Sequence, residues 1–410
     1  MQPTSPAAAR PNLEPPSAMK FVILLGVVSL LSDMTYEGAR SINGPFLAQL
    51  GAGAALVATV AGLGELIGYA LRLVSGLITD QTRRYWAITI IGYCLNLFAV
   101  PLLALAGRWE IAVGLMLTER LGKAIRNPAR DAMLSHAAFT VGRGWGFGLH
   151  EAMDQLGAFI GPVMVAGVFL FKETGGYPTA YGILLLPALA AIATLLWARF
   201  LYPRPEHLEV KVLTVEPQGL SRSFWLYVAA VALLGAGFAD FPLIAYHFKQ
   251  AQVMPVAWIP LAYAVAMGTD ALAALALGYT YDRLGIIVMV AATLLSALFA
   301  PLVFLGGFGW AILGMVVWGV GMGAQESVMR AAVADLVASN RRASAYGIFQ
   351  TGYGLCWFLG SVLMGLLYDH FLTYLVIFSV VSQLLAIPLF FLVTSHTRRS
   401  RGPKGNTGLV

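Results

Sequence analysis

The chain has 410 residues, of which 59% are apolar and only 11% charged, where a soluble globular protein carries about 25% charged residues. That balance excludes a soluble domain, and the absence of ~10-residue alternating segments argues against a membrane β-barrel. The net charge of +6 is no nucleic-acid footprint, because the basic residues gather at alternate ends of long apolar runs rather than on one patch.

In chain order, residues 1–17 are rich in Pro and Ala, and a disordered cytoplasmic tail is expected over 1–20. No cleavable signal is expected, since the first apolar span leads straight into more membrane. Twelve runs of roughly 20 residues follow, each long enough for a helix to cross a ~30 Å hydrocarbon core. The first six are 21–47, 53–77, 85–107, 110–134, 145–171 and 177–201. The polar stretch "YPRPEHLEVKVLTVEPQGLSRSF" then predicts a cytoplasmic linker over 202–223. The second six are 224–247, 255–279, 286–306, 308–333, 343–367 and 371–394, ahead of a basic tail at 395–410. The expected domains are therefore two six-helix bundles, 21–201 and 224–394. Lys20, Arg83, Arg84, Arg143, Arg199, Arg204, Lys211, Arg283, Arg341, Arg342, Arg398, Arg399, Arg401 and Lys404 lie at one set of helix ends. Arg108, Lys172 and Lys249 are the exceptions at the other. Under the positive-inside rule this places both termini in the cytoplasm and the chain, multi-pass, in the inner membrane. Cys94 and Cys356 fall within spans, so neither a disulfide framework nor a thiolate metal site is indicated.

A charge at mid-bilayer costs roughly 2.5–3.5 kcal/mol even on lenient scales, so each ionisable residue within a span is a functional candidate, with a helix-locking ion pair as the alternative. The first span carries "LLSDMTYEGARS", with Asp33, Glu37 and Arg40 on one helical face. Asp33 lies about 12 residues, or roughly 18 Å, into its helix, near the midplane. It is a candidate to bind and release a proton, with Glu37 and Arg40 one and two turns outward as gate or cavity residues. The fourth span presents Glu119, Lys123, Arg126 and Arg130 as one stripe, with Arg120 about 100° round and Asp131 after Pro128. Glu119 is a second coupling candidate, and Arg120 and Lys123 are cavity candidates. In the fifth span His150, Asp154, Gly157 and Gly161 share a face. The His and Asp suit a proton relay or a fixed packing pair, and Asp154 is the third coupling candidate. The second half is poorer in charge, with Asp240, Asp270, Glu326 and Arg330. Phe241, Tyr246, Trp318 and Gln325 there are expected to shape the pocket, and Asp240, Gln325 and Glu326 join the cavity candidates.

The halves also repeat one another. "GLITD" (76–80) answers "GYTYD" (278–282), and "FGLHEAMDQLGAFIG" (147–161) answers "YGIFQTGYGLCWFLG" (346–360). Gly148 pairs with Gly347, Gly161 with Gly360, Asp33 with Asp240 and Arg130 with Arg330 at nearly the same offset. A duplication in the same sense is the parallel-repeat plan, with the substrate site between the halves near the midplane.

These residues give the chain a resemblance to the major facilitator superfamily (MFS) over essentially its whole length. The family's loop signature, Gly-x-x-x-Asp-Arg-x-Gly-x-Arg, is met in part by Gly76, Asp80, Arg83 and Arg84, with Gln81 departing from it, and in part by Gly278, Asp282, Arg283 and Gly285. The antiporter-type fifth-helix motif is met by Gly148, Gly157, Gly161 and Pro162, while Val165 and Ala166 replace its last glycines. "ERLGKAIRNPARDAM" and "RGWGFGLHEAMDQLGAFIGP" look like a prokaryotic branch with a basic fourth span and a His…Asp pair. The resemblance implies an all-α MFS fold of twelve transmembrane helices in two pseudo-symmetric six-helix bundles. It implies a cytoplasmic gate in which Arg126, Arg130 and Asp131 meet Asp80 and the loop residues.

The function expected is secondary active transport of a small molecule by alternating access, coupled to protons as antiport and efflux. Symport or facilitated passage of a small organic anion is the alternative, motivated by Arg40, Arg120, Lys123 and Arg126. A divalent-metal exporter and a non-transport receptor are weaker readings. No Gly-x-Ser-x-Gly, His-Glu-x-x-His or phosphate loop supports an enzyme. No cofactor, metal or catalytic residue is expected, and the partners are substrate, protons and the lipid bilayer around a monomer, with no nucleic acid.

Overall fold

A computed structural model describes residues 15–141, 143–172, 175–203, 220–337 and 342–400. Of the expected linker at 202–223, residues 204–219, with Arg204 and Lys211, lie outside these residues, as do 1–14, Arg341, Arg401 and Lys404. Among the described residues twelve helical rods follow one another: α1 (Pro15–Gln49), α2 (Ala54–Thr82), α3 (Tyr85–Leu105), α4 (Trp109–Val141), α5 (Arg143–Phe171) and α6 (Gly176–Leu201). The second set is α7 (Arg222–Gln250), α8 (Trp258–Leu284), α9 (Ile287–Leu305), α10 (Phe308–Gly323, continuing through Ala324–Val328 and Met329–Leu336), α11 (Arg342–His370) and α12 (Leu372–Ser400). Short connections force neighbours within each set antiparallel, so both ends of each set lie on one face, here the terminal face, opposite a distal face. Every expected span is a rod. Several run past their apolar limits, α4 to Val141 and α12 to Ser400 among them.

Eleven of the rods are long and apolar enough to cross a membrane by hydropathy, and α4 is the exception. Its charges at 119, 120, 123, 126, 130 and 131 break the apolar run. They are tolerated because α4 is enclosed by α1, α2, α3 and α5, so most of its charged stripe meets protein and cavity rather than lipid.

Two rods are interrupted, each for a local reason. In α7 the helix stops at Gly237 and restarts at Phe241, because Pro242 lacks an N–H and disfavours helical geometry just before it. The carbonyls freed by the break are taken by side chains. Ser379 donates to Gly237 O at 2.6 Å, and Trp318 Nε1 donates to Ala239 O at 2.9 Å. Irregular backbone survives at membrane depth only when satisfied in this way. In α10 residues Ala324–Val328 form a π turn, which displaces Gln325 and Glu326 from the register of a continuous α-helix.

The two sets pack as a pseudo-symmetric pair. Across their interface α2 lies along α11, α5 along α8, and α1 against α7. Exchanging the halves turns the first contact into the second and returns the third to itself. The fifth-helix glycines show the same repeat within each half. A Cβ on Gly161 would strike the Met34 carbonyl of α1, and one on Gly360 would strike the Ala236 carbonyl of α7. Backbones meet this closely only where no side chain intervenes. This equivalence corrects one reading. It sets Met34 against Ala236, hence Asp33 against Gly235, and Asp240 lies beyond the break, so the two aspartates are not counterparts.

Candidate functional site

Between the two halves lies a cavity of about 460 Å³ lined by α1, α2, α4, α5, α8, α10 and α11. It opens toward the terminal face, where Asp131 and Glu151 on its wall are exposed. Asp80, Arg83 and Arg84 on that face are exposed as well, and Asp80 has no ion pair among the described residues. The expected gate of Asp80 with Arg126, Arg130 and Asp131 is not assembled. Arg130 instead holds Asp131 at 2.8 Å and donates to Ser29 Oγ at 2.8 Å. Arg126 is 1% exposed, with its guanidinium 4.3 Å from the Tyr93 ring centroid. Gly76 lies near Pro128 of α4. In the second copy of the loop signature, Gly278 has open space around it, Asp282 is exposed, and Arg283 folds over Tyr279 of its own helix. A cavity open on this side requires both copies to be apart.

At the distal end the cavity is shut by charges that cross between the halves. Arg40 of α1 reaches Asp240 of α7 at 2.7 Å and Glu65 of α2 at 3.1 Å, with Glu37 at 3.8 Å. Asp240 occupies the N-cap position of the second α7 segment, yet its carboxylate makes no cap bond and is spent on Arg40. Tyr263 of α8 donates to Glu37, and its ring lies tilted against Phe241 with centroids 4.2 Å apart. Glu65 also holds Arg120 at 3.3 Å, and Arg120 holds Glu119 at 3.3 Å. Asn96 of α3 anchors the far side of Glu119 at 2.7 Å. Pairing of this density is what buried charges require, since an unpaired one is strongly destabilising. Outside it, Lys249 donates to Pro45 O at 2.7 Å, and Asp369 of α11 accepts from Ala55 N, at the start of α2, at 3.2 Å. Gly44 sits directly against Pro242, leaving no room for a Cβ.

The coupling candidates divide. Asp33 lines the cavity, is 7% exposed, and makes no hydrogen bond or ion pair among the described residues. It shares its surroundings with Asp154, Lys123, Arg126 and Glu37. Asp154 lines the same wall, 3.5 Å from His150 Nδ1, with its Oδ1 unpartnered. Glu119 does not line the main cavity; it is committed to Asn96 and Arg120. Gly157 and Gly161 press α5 onto α1 at Leu30 and Met34, with Gly157 also against Asp33 Cβ. The small-residue motif, with Pro162 inside the helix, therefore sets the spacing of the two carboxyl-bearing helices. Gly148 has open space around it.

Lys123 lies over the Tyr36 ring at 3.7 Å and lines the cavity. From the second half, Asp270, Glu326, Tyr346, Gln350 and Trp357 line it, and Gln155 of α5 reaches Glu326 at 3.4 Å across the interface. Phe241, Trp318 and Gln325 do not. They sit in the buried aromatic core behind the closure, with Gln325 bonded to Tyr353 and to Gly321 O. Two residues of weight are absent from the sequence candidates. Glu65, in "GLGELIG", joins Arg40 to Arg120, and Arg72 lines the wall beside Tyr69. The rule that singles out the other intramembrane charges applies to both.

The Major Facilitator Superfamily model matches residues 25–325 and 240–409. Over 392 residues the chain is 46% identical to an uncharacterized protein of Mycobacterium tuberculosis, covering 94% of this chain and 95% of that one. Over 365 residues it is 27% identical to an uncharacterized MFS-type transporter of Methanocaldococcus jannaschii, covering 85% and 88%. Among solved structures, the nucleoside transporter NupG superposes with a TM-score of 0.70 at 14% identity, over 93% of this chain and 100% of that chain. At that identity the likeness is one of fold.

Proposed function

The chain belongs to the Major Facilitator Superfamily and is a membrane transporter of that type, and on that premise we propose that it is a proton-coupled antiporter that exports a small polar solute. The observation that carries this reading is the inter-half cavity, shut at its distal end by the Arg40–Asp240 pair and lined by Asp33, which makes no hydrogen bond or ion pair among the described residues. Bundles 21–201 and 224–394 rock about this cavity. The linker 202–223 and the tails 1–20 and 395–410 are cytoplasmic, and a monomer works in the inner membrane.

The assignment of roles follows the contacts. Asp33 and Asp154 carry the proton, because both line the cavity, Asp33 makes no ion pair among the described residues, and Asp154 keeps an unpartnered Oδ1. Glu119 orients Arg120 instead. Arg40, Glu37, Glu65 and Asp240 form the distal gate. Gly76, Asp80, Arg83, Arg84, Gly278, Asp282 and Arg283, with Arg130 and Asp131, close the opposite end in the alternate state. Lys123 and Arg126, on the cavity wall and in no ion pair among the described residues, are the groups for an anionic function on the cargo.

Reconstitution into liposomes with an imposed pH gradient tests the reading. Solute and protons should move in opposite directions, and Asp33→Asn should remove the gradient dependence while leaving exchange of solute. Gradient-independent flux in the native protein sinks the coupling. Co-directional flux decides for symport of an organic anion, the reading the same two cations would then support.

A further inference from the structure

Acids meet across the seam between the halves. Helix α5 of the first half lies along α8 of the second. On the cavity wall α5 contributes Glu151, Asp154 and Gln155 to this seam, and α8 contributes Asp270. Behind α8, α10 is pressed so close that a Cβ on Gly323 would strike the Asp270 carbonyl. The π turn that follows places Glu326 on the same wall. Asp270 is 1% exposed and its Oδ1 has no partner. Among the described residues, the charged groups that act most strongly on it are Glu326 from α10, Glu151 from α5 and Glu37 from α1, acids without exception. The bases on α4 lie with acids of their own half: Lys123 near Glu37 and Asp33, Arg126 near Asp33, and Arg130 on Asp131. Gln155 reaches Glu326 at 3.4 Å and leaves its own Oε1 without a partner.

A carboxylate buried this deeply needs a counter-charge or a proton. No base among the described residues supplies the first to Asp270. The need sharpens when the terminal face closes, because water then leaves the space between Glu151 and the two second-half acids. Like charges repel far more strongly in a dry interior than in water. We propose that Asp270, with Glu326 beside it, is a further proton-binding site, separate from Asp33 and Asp154, and that its proton neutralises the α5–α8 seam so that the terminal face can close. Only the closing step rests on the transport reading above. A protonated Asp270 also gains an O–H to donate, and the unpartnered Oε1 of Gln155, on the opposite half, is an acceptor on the same wall. The proton thus removes a repulsion between the halves and supplies a donor to the seam. Each half then loads its own proton, the first at Asp33 and Asp154, the second at Asp270.

The test uses the purified full-length protein without cargo. Between neutral and alkaline pH exposed carboxyls stay ionised, so a carboxylic-acid carbonyl band lost over that range in the infrared difference spectrum reports a buried group giving up its proton. The native protein should show such a band. Asp270→Asn should lack it and Asp33→Asn should keep it. Asp270→Glu, which retains the carboxyl and controls for folding, should show it at a shifted frequency. Closure is read at one fixed pH by thiol labelling of Gln350→Cys on the cavity wall, in a Cys94→Ala, Cys356→Ala background. Asp270→Asn, held in the neutral form, should slow labelling from the terminal side at least about 5-fold as the closed state gains population. Asp270→Glu should label as the native residue does. The proposal is overturned if no such band appears, if Asp270→Asn keeps it, or if Asp270→Asn labels as fast as the native residue. The infrared measurement involves no flux, so it can fail while gradient-driven antiport stands, and antiport can fail while the band is present.

Discussion

The two halves of this molecule repeat their packing and not their chemistry. Gly161 on Met34 and Gly360 on Ala236 are the same backbone contact made twice. Beside the first contact lie Asp33, Glu37 and Arg40. Beside the second, the break in α7 is packed with Phe238, Trp318 and Trp357, with Ser379 and Gln383 bonded to its carbonyls. Helix contact distance is set by backbone shape, which a duplication carries over whole. Charge pairing depends on individual side chains, which can be lost one at a time without moving a helix. The duplicated scaffold is thus conserved geometry carrying an asymmetric electrostatic device.

The sharpest way to break that asymmetry is at Arg40, the single base shared by Asp240, Glu65 and Glu37. Arg40→Met leaves Asp240 buried without its base and takes one of the two bases from Glu65, and should cost about 3–5 kcal/mol of the closed distal end. A lowered melting temperature, loss of transport, and new thiol labelling at Ala61→Cys, which lies beside Arg40 and Pro242, are the expected readouts. Unchanged labelling would show that the pair does not hold the gate. Asp240→Asn should act in the same direction and less, since Arg40 keeps two carboxylates.

Substituting the glycines probes the shared side of the comparison. Gly161→Val and Gly360→Val should be destabilising to a similar degree, by about 1–3 kcal/mol or more, because overpacking a tight contact forces the backbone to shift. A large difference between the two in thermal melting would mean the halves are less alike than their contacts indicate. Asp33→Asn and Glu119→Gln separate the carboxyls within the first half. The first should leave the melting temperature unchanged or raised, because an unpaired buried carboxyl is replaced by a neutral amide. The second loses its contact with Arg120 and should cost about 1–3 kcal/mol. Smallest of all, Asp369→Ala removes an exposed cap across the halves at the start of α2 and should shift melting by about 1 kcal/mol. An effect much larger than that would mark it as part of the gate.

Some of this was legible before any coordinates. Lipid admits only self-satisfied helices, so twelve apolar runs mean twelve rods. The carboxyls and bases within the spans were countable, and the fifth-helix glycines marked a close contact. The partners of those groups were not legible. Arg40 meets Asp240, 200 positions along the chain. Glu119 turns toward Asn96 rather than the main cavity, and the loop-signature acid Asp80 stands apart from the bases expected to meet it.

What the sequence determined alone is therefore the twelve-helix duplicated plan and the list of charges buried in it. Hydropathy and helical period are local properties, summed over a few turns of one rod. Which charges pair, which stay free, and which end of the cavity is shut were decided by the tertiary structure alone. An ion pair depends on a separation of a few ångströms between residues of different helices, and no spacing along the chain encodes that distance.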